Sequence, residues 1–162
     1  MRNRMMLGRV VICVIFLMGL SSQVFAAAAV KGPMDFVNAA KAKIVEVSAA
    51  QVKADLDAGK KFILLDVRSK EEFDAGHLPN AINISRGLLE FQIGQAIPDK
   101  NANIILYCRT GARSALTTLV LNEMGYTNAK NMAGAFKAWG TAGFPVYNRH
   151  GEFVMKAFEL KK

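Results

Sequence analysis

Cysteine is scarce. The 162 residues hold two, Cys13 and Cys108, and only two histidines, His77 and His150. No paired cysteines or spaced histidines supply the ligand set of a metal site, so no metal is expected. Apolar runs of the roughly 20 residues needed to cross a bilayer are also missing. The basic residues are scattered, with no basic run interleaved with aromatics, which argues against a nucleic-acid partner. Internal repeats and low-complexity linkers are absent apart from an alanine-rich stretch near residue 27.

What the N-terminus does hold is a leader pattern. Arg2, Arg4 and Arg9 precede the apolar stretch Val10 to Leu20, and Val24-Phe25-Ala26 follows a short polar segment. A basic region, an apolar region and small residues at the cleavage site describe a secretory signal peptide over 1–26, cut after Ala26 or alternatively after Ala28. The expected location is therefore the periplasm or another exported compartment, with no membrane span after cleavage. The rival, an uncleaved anchor, is disfavoured by the short apolar run. Cys13 follows Ile12 inside the apolar region, which excludes a lipoprotein attachment site. Losing three arginines would lower the formal charge from +8 to +5. It would also remove Cys13 and leave Cys108 as a single cysteine in an oxidising compartment, unable to form an intramolecular disulfide.

The remaining chain divides into an extension over 27–47, a main domain over 48–146 and a tail over 147–162. Helical spacing of Phe36, Val37, Ala40 and Ile44 predicts a helix from Met34 to Ile44 behind Pro33. A second helix is predicted from Ser48, its N-cap, to Ala58, with Gly59 as its stop. Strands are expected at 62–67, 81–84, 104–107 and 129–132. Helical segments are expected at 70–73, 88–97, 114–124 and 135–141. Such alternation predicts an α/β fold with a central, mainly parallel sheet flanked by helices. The tail, with Phe153, Val154, Phe158 and Leu160 apolar, is expected to pack as a hairpin or helix. Trp139 is expected in the core.

Within that plan, one position stands out. Ile104 to Tyr107 deliver Cys108 to a strand-to-helix turn, where unpaired N–H groups and the helix dipole favour an anion. Arg109 and Arg113 add positive charge. A cysteine so placed has a lowered pKa and is a nucleophile at neutral pH. Asp66 and Arg68 lie at the end of the neighbouring strand, where sites of open parallel sheets are found. An aspartate there commonly caps a turn, so this pair is read as supporting the active loop.

Four blocks in register resemble the rhodanese-like sulfurtransferases in their single-domain exported form. They are Leu64-Leu65-Asp66-Val67-Arg68 with Glu72-Phe73; Gly76 to Ile84; Ile105 to Ser114; and Gly125-Tyr126 through Gly134, Trp139, Gly143, Pro145 and Val146. The resemblance implies a three-layer rhodanese-like domain and a sulfane-sulfur carrier. Cys108 would take sulfur from a small anionic donor such as thiosulfate and pass the persulfide sulfur to cyanide, a thiol or a protein acceptor. It implies no metal and no organic cofactor. The backbone of Arg109, Thr110, Gly111, Ala112, Arg113 and Ser114 would cradle the terminal sulfur.

Four residues separate Cys108 from Arg113, whereas cysteine phosphatases resembling this fold use five, so the shorter loop suits sulfur better than phosphate. The Arg109-Thr110-Gly111 start is similar to the thiosulfate-using branch. Arg109 is read as a holder of the donor's sulfonate. Arg113 either shares that task or pairs with a carboxylate beneath the loop. His77 is read as a turn residue and His150 as solvated in a polar turn. The pattern departs from the family where a glycine pair precedes the last helix, read here as Ala133-Gly134. The alternatives are a non-catalytic anion- or partner-binding module and, further off, a cysteine phosphatase or arsenate reductase.

Overall fold

A computed structural model describes residues 30–155; the leader and the end of the tail, Phe158 and Leu160 included, lie outside them. The core follows from runs that are apolar on both faces. In Ile63–Asp66 (β2) and Ile104–Tyr107 (β4), alternate side chains enter two separate clusters. Leu65, Ile104 and Leu106 pack on one side and Leu64, Ile105 and Tyr107 on the other. Strands covered on both faces belong in the middle of a parallel sheet.

The sheet has five parallel strands in the order β1-β5-β4-β2-β3, completed by Val45–Ser48 (β1), Ala129–Ala133 (β5) and Ile82–Asn83 (β3). Leu89–Ala96 (α4) and Ala112–Glu123 (α5) cover one face, anchored by Leu89, Ile93 and Leu121. Ala49–Asp57 (α2) and Ala135–Thr141 (α6) cover the other through Val52, Ala135 and Trp139. Pro33–Lys41 (α1) packs against α5. The fold is thus three-layered α/β.

Local signals explain most of the element ends. Ser48 caps α2, its Oγ accepting from the Gln51 N–H at 3.1 Å. Ser69 and Glu72 form a reciprocal capping box at the start of Lys70–Ala75 (α3).

Four expectations are corrected. The first helix stops at Lys41 rather than Ile44, and the chain from Val45 forms the edge strand β1, too short for periodicity to reveal. The helix expected at 88–97 is α4, one residue shorter at each end and entered through a 3-10 turn at Arg86–Leu88. The helix after Cys108 begins at Ala112, not Ser114, because Gly111 at φ 94° turns the chain into it. The left-handed pair at the start of α6 is Gly134 (φ 69°) with Ala135 (φ 46°), so the residue standing in a glycine's conformation is Ala135, not Ala133.

Across the expected domain end at residue 146, Pro145–Asn148 (β6) and Gly151–Val154 (β7) form an antiparallel hairpin. Reciprocal backbone bonds of 2.8 Å between His77 and Tyr147 tie it to the body.

Candidate functional site

Cys108 follows β4 directly and is 1% exposed. Two backbone bonds tie the loop's carbonyls to the first turn of α6: Phe136 N–H donates to Cys108 O at 3.0 Å, and Lys137 N–H to Arg109 O at 2.9 Å. The Thr110, Gly111 and Ser114 N–H groups face the sulfur. The Gly111 N–H reaches Sγ at 3.2 Å, and the Ser114 hydroxyl lies 3.6 Å from it. Gly111 sits tightly here; a Cβ would come within 3.1 Å of Met132 O and 3.4 Å of Gly134 N. Both its positive φ and this close approach require glycine.

Burial alone would push the Cys108 thiol up. Hydrogen bonds from the backbone and hydroxyl of Ser114, and from the Thr110 and Gly111 N–H groups, outweigh it, so the pKa lies below its ordinary value. Hydrogen bonds to the charged form thus favour a thiolate in a buried place. Nucleophilicity is the chemical consequence.

The two arginines differ in their surroundings. Arg113 forms a two-pronged bond to Glu72, Nη1 to Oε2 at 2.8 Å and Nη2 to Oε1 at 2.9 Å. That pairing holds the Glu72 carboxyl down at about 2, with the Arg113 hydrogen bonds as the largest cause. The carboxylate-pairing alternative for Arg113 is therefore the one seen. Arg109 is exposed and makes no ion pair among the described residues. Thr110 is exposed, Ala112 half-buried, and Ser114 fully buried in the first turn of α5.

Asp66 and Arg68 form a buried pair, with Nη2 to Oδ2 at 2.6 Å and Nε to both carboxylate oxygens at 3.0 and 2.9 Å. Asp66 Oδ1 also accepts from the Arg68 N–H at 2.9 Å, the turn cap its position suggests. The guanidinium lies over the Phe136 ring, 4.1 Å from its centre, and donates to Gly76 O at 2.7 Å. This pair links β2, the following turn and α6, and makes no hydrogen bond to Cys108 among the described residues. His77 is likewise occupied locally, its Nδ1 3.0 Å from Phe73 O and its ring stacked on Phe73. His150 lies exposed in the hairpin turn. Trp139 is buried and donates to Pro145 O at 2.8 Å.

Two contributors escaped sequence reasoning. Glu72 is 41 residues from Arg113, and only the fold brings them together. Asn131, inside a segment read simply as a strand, is fully buried and donates to Gly111 O at 3.3 Å. A polar residue in a short buried strand was the available signal. No cluster of three or more metal-ligating side chains occurs among the described residues.

Comparison with known proteins places several relatives beside this chain. The model of the family described as Rhodanese-like domain matches residues 48–142. Thiosulfate sulfurtransferase PspE of Escherichia coli is 39% identical over 70 residues, 43% of this chain and 67% of that protein. A sulfurtransferase of Allochromatium vinosum is 28% identical over 106 residues, 65% of this chain and 97% of the relative. Among solved structures, the polysulfide-sulfur transferase homodimer of Wolinella succinogenes superposes with a TM-score of 0.60 at 31% identity, covering 70% of this chain and 85% of that one. Against some longer relatives, the match spans 25% of their length.

Proposed function

The chain belongs to the rhodanese-like domain family, and from that premise we propose that it carries one sulfane sulfur on Cys108, taken from thiosulfate or a related donor. Its relatives support sulfur transfer as the class of reaction. The observation that carries the finer reading is the short loop, which directs the Gly111 N–H at Sγ from 3.2 Å and holds the thiol pKa down.

In the proposed first step the Cys108 thiolate attacks the outer sulfur of thiosulfate. A new S–S bond forms, the donor's own S–S bond breaks, and its electron pair departs with sulfite. The inward N–H groups then face an anionic persulfide, as an oxyanion hole faces an oxyanion. Cyanide or a thiolate attacks the terminal sulfur, and the electron pair of the persulfide bond returns to Cys108. Arg109, exposed and without a carboxylate partner among the described residues, is the cation that would meet the donor's sulfonate. Arg113, held by Glu72, serves the loop's shape. The cysteine is nearly closed off, which suits the slender sulfane end of a donor.

The leader pattern in 1–26 supports placing this exchange outside the cytoplasm. Cytosolic acceptors would then lie across a membrane, leaving a small exported thiol or a protein as the acceptor.

Intact-mass measurement tests the proposal. Incubation with thiosulfate should add one sulfur atom, cyanide should remove it, and Cys108→Ala should show no gain. An unchanged mass in the wild type, accompanied by phosphatase turnover, would overturn it.

A further inference from the structure

Asn131 is a buried amide whose oxygen, Oδ1, finds no hydrogen-bond partner among the described residues. Its nitrogen is doubly used: Nδ2 donates to Glu46 Oε1 at 2.6 Å and to Gly111 O at 3.3 Å. These two acceptors fix which way the amide faces. Glu46 and Asn131 are register partners on adjacent strands, and Asn131 is the partner of Leu106 on β4, two residues before Cys108. An apolar side chain of similar size would fill this place without stranding a buried oxygen, so the amide needs another reason to be there.

We propose that Asn131 is a positioning residue, a strut anchored by Glu46 that pins the Gly111 carbonyl and so aims the Gly111 N–H at the cysteine sulfur. Gly111 is the hinge on which this matters. At φ 94° it has a wide choice of conformations, and its N–H and carbonyl lie in successive peptide planes joined at its Cα, so holding the carbonyl narrows the orientations open to the N–H. Its carbonyl also accepts the Ala115 N–H at 3.0 Å, so helix α5 and Asn131 hold it from two directions. The chain of contacts continues to the surface, where Lys41 Nζ lies 3.1 Å from Glu46 Oε1. Edge strand β1 thereby reaches the active loop through two side chains, Glu46 and Asn131. The strut deepens the sulfur-carrier reading and rests on Cys108 being its nucleophile.

The test uses the whole chain with Cys13→Ser, so that Cys108 is the only thiol. The rate of iodoacetamide alkylation is followed against pH, and sulfur loading from thiosulfate is measured alongside. Asn131→Ala should move the alkylation midpoint upward by about one pH unit, with about a tenfold loss of loading below that midpoint. Glu46→Ala should move it in the same direction by a smaller amount. Glu46→Gln keeps an oxygen to accept from Nδ2 and should restore the wild-type profile.

A purely structural role would lower the melting temperature and leave the alkylation midpoint where it was; that result in both Asn131→Ala and Glu46→Ala would overturn the proposal. Should Asn131→Ala not fold, the Glu46 pair decides alone, since Glu46 lies on the exposed edge. Alkylation needs no sulfur donor, so failure of the strut is distinguishable from failure of the sulfur-transfer reading, which the wild-type mass gain measures separately.

Discussion

The Cys108 site works by opposing two effects on one atom. Burial disfavours a charged sulfur, and hydrogen bonds to it prevail. Ser114 supplies two of them, one from its backbone and one from its hydroxyl 3.6 Å away. Removing the hydroxyl leaves the backbone cradle intact and isolates its share. Ser114→Ala should raise the Cys108 pKa, since one of the hydrogen bonds that lower it is lost. Sulfur loading near neutral pH should slow by up to about tenfold and recover as pH rises through the new pKa. Stopped-flow loading with thiosulfate across pH gives both numbers, and an unmoved profile would remove the hydroxyl from the account. Residues of this kind are the legible ones. Cys108, Arg109, Gly111 and Ser114 adjoin in the chain, so their meeting needs only a strand, a turn and a helix. Asn131 was illegible because its polarity acquires meaning only when β5 lies beside β4.

Among elements, the decisive tie is that between α3 and α5. Ser69 starts α3 with a capping box, which fixes the Glu72 backbone, and Glu72 then grips Arg113 in the first turn of α5. The alternation of strands and helices was readable from periodicity, and so were the caps at Ser48 and Gly59. Edge strand β1 was not, since four residues give no period and its pairing with β5 is long-range. The Glu72–Arg113 grip was unreadable for the same reason. Its pH dependence follows from the sign of the shift. The carboxyl is depressed to about 2 from an ordinary 4.5, so its stabilisation is present above about 4.5 and disappears as pH falls through about 2. Both side chains are more than a third exposed, so solvent limits the pair to about 1 kcal/mol or less. Glu72→Gln preserves the capping box, because glutamine also serves at that position. It should lower the urea midpoint at pH 7, with the gap to wild type closing near pH 2. A gap that persists at pH 2 would mean that the charge pair is not its source.

For the molecule as a whole, the arrangement places a cysteine of lowered pKa and the exposed Arg109 beyond the carboxyl end of a central strand, on a chain of formal charge +8. Thiosulfate carries two negative charges, so its encounter with Cys108 should feel the summed field of the protein as well as the loop. The Debye length shrinks from about 30 Å at 0.01 M salt to about 8 Å at 0.15 M, which confines that field to the nearest cations. Loading by thiosulfate should therefore slow about threefold or more over this range. Alkylation of the same thiol by uncharged iodoacetamide should hardly change, because no charged reagent has to be drawn in. This control matters, since a salt effect on the thiolate itself would move both rates together. Arg109 should account for much of what survives at high salt, being exposed at the loop and unpaired by any carboxylate among the described residues. Arg109→Ala should consequently reduce thiosulfate loading at every salt concentration while leaving alkylation close to wild type. Parallel loss of both rates would instead assign Arg109 to the shape of the loop, and the donor's charge would then have to be met elsewhere on the surface.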